Sequence, residues 1–165
     1  MPNSPSTHRL YILRHAKSSW EDPDLEDHDR PLAPRGRRAG ELLHEYVREQ
    51  SIRPSLILCS TARRARETLE AAGLEGEIYF EDELYGASAG ALVGRLRRVP
   101  RATSSVMLIG HDPALHDLLA TLAPRRQAGK FPTGALATLT FTSPWSGLGP
   151  GGAELSGFVS PRDLA

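Results

Sequence analysis

Short blocks of consecutive apolar residues alternate along this chain with stretches in which apolar side chains recur every three to four positions. Leu10-Tyr11-Ile12-Leu13, Leu56-Ile57-Leu58-Cys59 and Ser105-Val106-Met107-Leu108-Ile109 are too short for helices and apolar at successive positions, so each reads as a strand buried on both faces. Ile78-Tyr79-Phe80 predicts a further strand, Ala135 to Phe141 another, and Ala153 to Val159 a weaker last one. From Gly36, the positions Ala39, Leu42, Leu43, Tyr46 and Val47 fall at i, i+3, i+4, i+7 and i+8, the stripe of an amphipathic helix. A second helix is expected to be capped by Ser60-Thr61 and stopped by Gly73, and a third to run from Ser88 to Val99 before Pro100. A fourth starts at Asp112 as cap with Pro113 at its first position, and buries Leu115, Leu118, Leu119 and Leu122.

Strands alternating with helices predict an α/β fold, a three-layer sandwich with a mostly parallel central sheet and helices on both faces. Residues 1–8 are expected to be a flexible tail and residues 9–160 one domain. Trp20 to Pro34 is acidic, Pro-bearing and aperiodic, a long loop of the kind that carries function. Ligands of such sheets bind outside the carboxyl ends of the strands.

Composition narrows the function classes. At 165 residues and 39% hydrophobic content the chain supports one core. Its 20 basic and 20 acidic residues cancel, which removes the electrostatic case for a dedicated nucleic-acid or anionic-membrane binder. The single cysteine, Cys59, excludes a disulfide-stapled secreted domain. No window reaches the roughly 18 apolar residues of a membrane span, and the opening Met-Pro-Asn-Ser-Pro-Ser-Thr-His lacks the apolar core of a signal peptide. A soluble, cytoplasmic protein is expected. His111 and His116 are five apart, roughly 140° around a helix, and make no metal-binding pair. Gly147 to Gly152 lacks the Lys-Ser/Thr ending of a phosphate loop. Arg95, Arg97, Arg98 and Arg101 read as a solvated helix face.

Three basic constellations share one predicted edge. Arg14-His15 follows the first strand, Arg63-Arg64 opens the helix after the second, and Gly110-His111 follows the Ser105 to Ile109 strand. Arginine forks bind phosphate bidentately and helix N-termini add N–H donors, so their convergence predicts a pocket for a phosphoryl group.

These residues carry a resemblance. Leu10-Tyr11-Ile12-Leu13-Arg14-His15-Ala16 is similar to the Arg-His-Gly signature of the histidine phosphatase superfamily, with Ala16 in place of the usual glycine. Asp29-Arg30-Pro31-Leu32 with Arg35-Gly36, Ser60 followed by Arg64-Ala65 and Thr68, Leu84-Tyr85, Gly110-His111-Asp112-Pro113 and Phe131-Pro132-Thr133-Gly134-Ala135 follow in order. Together, over residues 9 to 141, they resemble the small SixA-like phosphohistidine phosphatases, of phosphoglycerate-mutase-like fold. The resemblance implies that His15 is a nucleophile forming a phosphohistidine intermediate, and that Arg14, Arg64 and His111 bind the transferring phosphate. It selects Arg64 over Arg63, because the family's arginine stands four residues after the serine and before Ala. Lys17, Ser18 and Arg30 are further phosphate- or substrate-contact candidates. The general acid is sought among Glu81, Asp82 and Glu83, with Asp82 and Glu83 the catalytic candidates.

No metal or cofactor is expected. The substrate implied is phosphohistidine on a protein; the alternatives are small phosphoesters, or a non-catalytic phosphoprotein- or nucleic-acid-binding module.

Overall fold

The computed structural model describes residues 7–124 and 129–165. In chain order it contains β1 (His8–Arg14), α1 (Pro34–Glu49), β2 (Leu56–Ser60), α2 (Arg63–Ala71), β3 (Glu77–Glu81), α3 (Ala89–Arg97), β4 (Ser105–Gly110), α4 (Ala114–Leu122), β5 (Leu136–Phe141), β6 (Glu154–Val159) and α5 (Pro161–Leu164). Short 3-10 turns at Asp27–Asp29, Asp82–Leu84 and Trp145–Gly147 punctuate the connections.

The strands form one mixed sheet in the order β3-β2-β4-β1-β5-β6. β3, β2, β4 and β1 pair in parallel. Successive residues of these strands feed opposite faces, as a doubly covered sheet requires. Leu10, Ile12, Leu56, Leu58, Val106 and Leu108 pack with Leu92 and Leu96 of α3 and Leu115 and Leu118 of α4. Tyr11, Leu13, Ile57, Cys59, Met107 and Ile109 pack with Leu43 and Val47 of α1 and Leu69 of α2. The three layers are those the apolar pattern predicted.

Several details differ. β5 runs antiparallel to β1, and β6 antiparallel to β5. The segment before β5 is pinned at the carboxyl end of β1, where the Gly134 N–H donates to the carbonyls of Arg14 (3.1 Å) and His15 (2.9 Å), so the strand that follows must return the opposite way. Gly134 has φ +77°, and a Cβ there would stand 2.8 Å from Pro161 Cγ; only glycine suits this corner.

His8, assigned to the tail by its polarity, is a buried residue of β1 that stacks on Phe141. Met1 to Ser6 of that expected tail lie outside the described residues. Ser60 belongs to β2, and Ala62 is the N-cap of α2, because the Ser60 hydroxyl is turned toward the site. Pro113 is the residue before α4, while the Asp112 carboxylate caps from one position earlier by accepting the His116 N–H at 3.2 Å. α5, one turn closed by a Ser160/Asp163 capping box, carries too little apolar periodicity to be read from sequence.

Candidate active site

Parallel pairing brings the carboxyl ends of β2, β4 and β1 side by side. The register sets Arg14 beside Gly110 and Cys59 beside Ile109, so His15 and His111 stand at one level, with Ser60 one residue behind them. α2 contributes Arg64, 7% exposed although it carries a full charge.

The His15 ring is oriented by its Nδ1, 2.8 Å from the Ala16 carbonyl. A carbonyl only accepts, so Nδ1 carries the hydrogen and Nε2 presents a bare lone pair. Burial, reinforced by the charges of His111, Arg64 and Arg14 and opposed by the Ala16 hydrogen bond, pushes the pKa down to about 3. The ring is therefore neutral at pH 7. The Ala16 N–H donates to Thr68 Oγ1 at 2.9 Å, and the Thr68 hydroxyl donates to the Arg64 carbonyl at 2.7 Å. A buried hydroxyl thus locks the nucleophile loop to α2.

His111 lies with its ring centroid 5.2 Å from that of His15. Its Nε2 is 2.8 Å from Ser60 Oγ, which already accepts the Ala62 N–H at 3.2 Å. With the Ser60 hydroxyl as the donor to Nε2, the His111 hydrogen lies on Nδ1; with Nε2–H as the donor to Ser60, Nδ1 is the acceptor. Burial first, then the charge of Arg64, lowers this histidine to about 4. Its Nδ1 and the Nε of Arg14 are buried without a hydrogen-bond partner among the described residues. Arg14 Nη1 donates to the Phe131 carbonyl at 2.9 Å and stands 3.8 Å from the Asp112 carboxylate. Burial raises the Asp112 pKa and Arg14 opposes it.

The Trp20 to Pro34 loop supplies a residue that sequence reading missed, Asp27. Arg64 Nη1 donates to its carbonyl at 2.7 Å and Nη2 to its carboxylate at 2.9 Å. Arg30 Nη1 (2.8 Å) and the Tyr85 hydroxyl (2.6 Å) donate to the same carboxylate. The Tyr85 hydrogen bond first, then the arginines, hold Asp27 well below the usual carboxylate range. Asp27 uses two of the five N–H groups of Arg64 and leaves three. The contact spans 37 residues of sequence, and only the charge of the loop hinted at it.

Other candidates part company. Arg63 is on the surface, bonded to Glu67 one helical turn on at 3.1 Å. Arg30 is buried with its guanidinium 3.3 Å over the Trp20 ring, and all three of its nitrogens serve the loop, on Ser19 O, Asp27 and Ser18 Oγ. Arg30 and Ser18 are therefore organisers of the loop. Lys17 lines a different cleft, with Arg35 and Arg38. Glu81 is spent on a two-point pair with Arg95, at 2.7 and 2.9 Å. Glu83 is exposed and faces Arg98 of the outer helix surface at 3.8 Å. Asp82 accepts the Thr61 hydroxyl at 2.6 Å, and Thr61 Oγ1 is 2.9 Å from His28 Nε2. With its hydrogen on Asp82, Thr61 must be the acceptor from His28.

No three His, Cys, Asp or Glu side chains among the described residues gather as a metal site. No helix among them is long and apolar enough to cross a membrane.

A neutral histidine at a strand end, two arginines and a second histidine define an oxyanion-binding α/β domain built for phosphoryl chemistry. The chain belongs to the histidine phosphatase superfamily, branch 1, whose family model matches residues 10–127. It is 37% identical over 159 residues to an uncharacterised protein of Mycobacterium tuberculosis, covering 91% of this chain and 100% of that one. Among solved structures it is similar to a candidate phosphohistidine phosphatase SixA from Nakamurella multipartitia (TM-score 0.87, 31% identity, 96% of this chain and 99% of that one). It is also similar to the protein histidine phosphatase SixA complexed with tungstate (TM-score 0.82, 26% identity, 95% and 99% coverage).

Proposed function

We propose that this protein removes phosphate from phosphohistidine on a protein, through a phosphorylated His15 and without a metal ion. The observation that carries the reading is the His15 ring, with its Nδ1 hydrogen held by Ala16 and its Nε2 bare beside Arg14, Arg64 and His111. Nε2 attacks phosphorus, the P–N bond to the substrate ring, protonated on its other nitrogen, breaks, and that ring departs as neutral imidazole with the bonding pair. Water then attacks phosphorus, the P–Nε2 bond breaks, its electron pair returns to neutral His15, and the water protons leave on the product phosphate.

Arg14 Nε, His111 Nδ1 when Ser60 donates to Nε2, and the free N–H groups of Arg64 are the donors for the phosphoryl oxygens, supplying the positive field that phosphoryl transfer requires. Imidazole leaves far more readily than an alkoxide, so the engagement of Glu81 and Glu83 in ion pairs costs this reaction little. The tungstate complex of the similar SixA, a tetrahedral oxyanion in that protein, supports a pocket of this kind.

Phosphate release from a phosphohistidine-bearing protein and from an aryl phosphate, each in the presence of EDTA, tests the reading. A strong preference for phosphohistidine is expected. Equal or greater activity on the ester would leave the nucleophile in place and make small phosphoesters the substrate class. No release from either would favour the binding-module alternative.

The histidines also set the pH response. Both are neutral above about pH 5, so the acid limb of kcat/KM on an aryl phosphate should fall near pH 4 and not at the 6.5 of a free histidine. Between those values the unfolded chain binds more protons than the native one, so the stability these burials allow is present above pH 6.5 and is lost as pH falls toward 4. The urea midpoint should drop from pH 7 to pH 5, and by less in His111→Asn; a midpoint indifferent to pH over that range would contradict the buried neutral rings.

Asp27 acts as a positioning residue for Arg64. Asp27→Asn is expected to lower kcat/KM about tenfold, the equivalent of one charge-assisted hydrogen bond. The loss should fall chiefly in KM, and because the Asp27 charge raises the His111 pKa, any movement of the acid limb should be to lower pH. An unchanged KM would detach Asp27 from substrate binding.

A further inference from the structure

Away from the His15 cluster, a cleft of about 510 Å³ opens between α1, α5 and residues 132–133. Arg35, Arg38 and Leu42 lie at i, i+3 and i+7 on one face of α1 and line it together with Lys17, Pro132 and Arg162. The four cations are exposed, and none has a carboxylate within 4.0 Å among the described residues. Two acids of the neighbouring elements are engaged elsewhere: Asp163 caps Ser160, and Glu67 pairs with Arg63 and Arg37.

This charge opposes the helix it sits on. The first turn of α1 carries no acidic residue and no side-chain cap, and places arginines where the partial positive charge of the helix end already lies. Stability alone would favour Asp or Glu there. An anionic occupant relieves the repulsion.

The cleft is also coupled to the nucleophile. Lys17 stands two residues beyond His15, and its backbone packs on α1 so tightly that a Cβ on Gly36 would be 2.1 Å from the Lys17 carbonyl oxygen. On the other wall Thr133 precedes Gly134, whose N–H holds the Arg14 and His15 carbonyls.

We propose that this cleft binds an acidic segment of the phosphorylated protein substrate, with carboxylates on Lys17, Arg35, Arg38 and Arg162 over a floor of Leu42 and Pro132. The proposal rests on the protein-phosphohistidine reading above. An apolar floor with no aromatic side chain among the lining residues suits a peptide and offers nucleic-acid bases no stacking platform.

The test has two arms. In the first, a fluorescein-labelled, unphosphorylated Glu-rich peptide is titrated by anisotropy at low salt, which reads the cleft independently of chemistry. Arg35→Glu/Arg38→Glu, in which acids replace exposed arginines at a helix start and so suit the fold, should weaken binding at least about tenfold. Arg162→Glu should weaken it less, and 0.5 M NaCl should abolish it.

In the second arm, phosphohistidine peptides with and without a flanking Glu run are compared as substrates. Wild type should show a KM about tenfold lower for the flanked peptide. The double variant should lose that difference and keep its kcat on an aryl phosphate. Peptide binding that the double variant leaves intact overturns the proposal, as does tighter capture of a single-stranded oligonucleotide. Acidic-peptide binding lost in the variant, with phosphate released only from the aryl ester, would keep the cleft and overturn the phosphohistidine reading instead.

Discussion

Replacing His15 with alanine is expected to reduce phosphate release at least about 10³-fold while the far-UV circular dichroism of the protein stays that of the wild type. The ring is buried but contributes one hydrogen bond to its own neighbour, the Ala16 carbonyl, and Ala16 keeps its separate anchor on Thr68. Little of the sheet depends on the imidazole, whereas in the proposed reaction every turnover does. Acid-labile, base-stable label on the protein after quenching with a radiolabelled substrate should be seen in wild type and not in His15→Ala. Retention of more than about a tenth of wild-type turnover would remove His15 as nucleophile.

The second large effect separates two adjacent arginines. Arg64→Ala should lower kcat/KM by about 10²–10³-fold, the range for removing a donor aimed at developing negative charge, and Arg63→Ala by less than about twofold. Arg64 is buried and held at two points by Asp27, so its remaining N–H groups are fixed in direction. Arg63 is half exposed and pairs along its own helix, an arrangement worth a few tenths of a kcal/mol. Arg64→Lys should not rescue, because an ammonium cannot satisfy the carbonyl and carboxylate of Asp27 and keep a planar fork for phosphate. The reverse ranking of Arg63 and Arg64 would overturn the assignment.

The layers and the strand ends were legible because they are set by short-range pattern. Ile57 and Leu58 must face opposite sides of the sheet, and both are apolar, so a doubly covered strand follows from two letters. The same logic put Arg14, His15 and His111 at one edge, since the residue after a parallel strand has nowhere else to go.

What the pattern missed is decided by contacts distant in sequence. Nothing near Asp27 says that Arg64 and Tyr85 will meet it, and nothing in Glu81-Asp82-Glu83 says that Arg95 takes the first, Thr61 the second and Arg98 approaches the third. His8 was lost to its polarity, although an imidazole stacked on Phe141 packs as an aromatic. The reversal of β5 depends on the Gly134 corner, where one N–H anchors the chain to two carbonyls on another strand.

The strand order has a consequence for the life of the chain before it is complete. β4 fills the slot between β1 and β2, so a nascent polypeptide ending near residue 100 holds His15, after β1, and Arg64, in the helix after β2, with an empty lane between the two strands. Such a fragment has apolar edges open to pairing with a neighbour and lacks His111. The pocket closes only when His111, the residue after the sixth and last of β4, is in place. Assembly therefore waits on long-range pairing, the slow part of folding, and a ribosome-bound half-product neither carries the complete phosphate pocket nor hides its sheet. The insertion of β4 joins the two halves of the pocket, and the remaining edge of β1 is covered when β5 pairs with it.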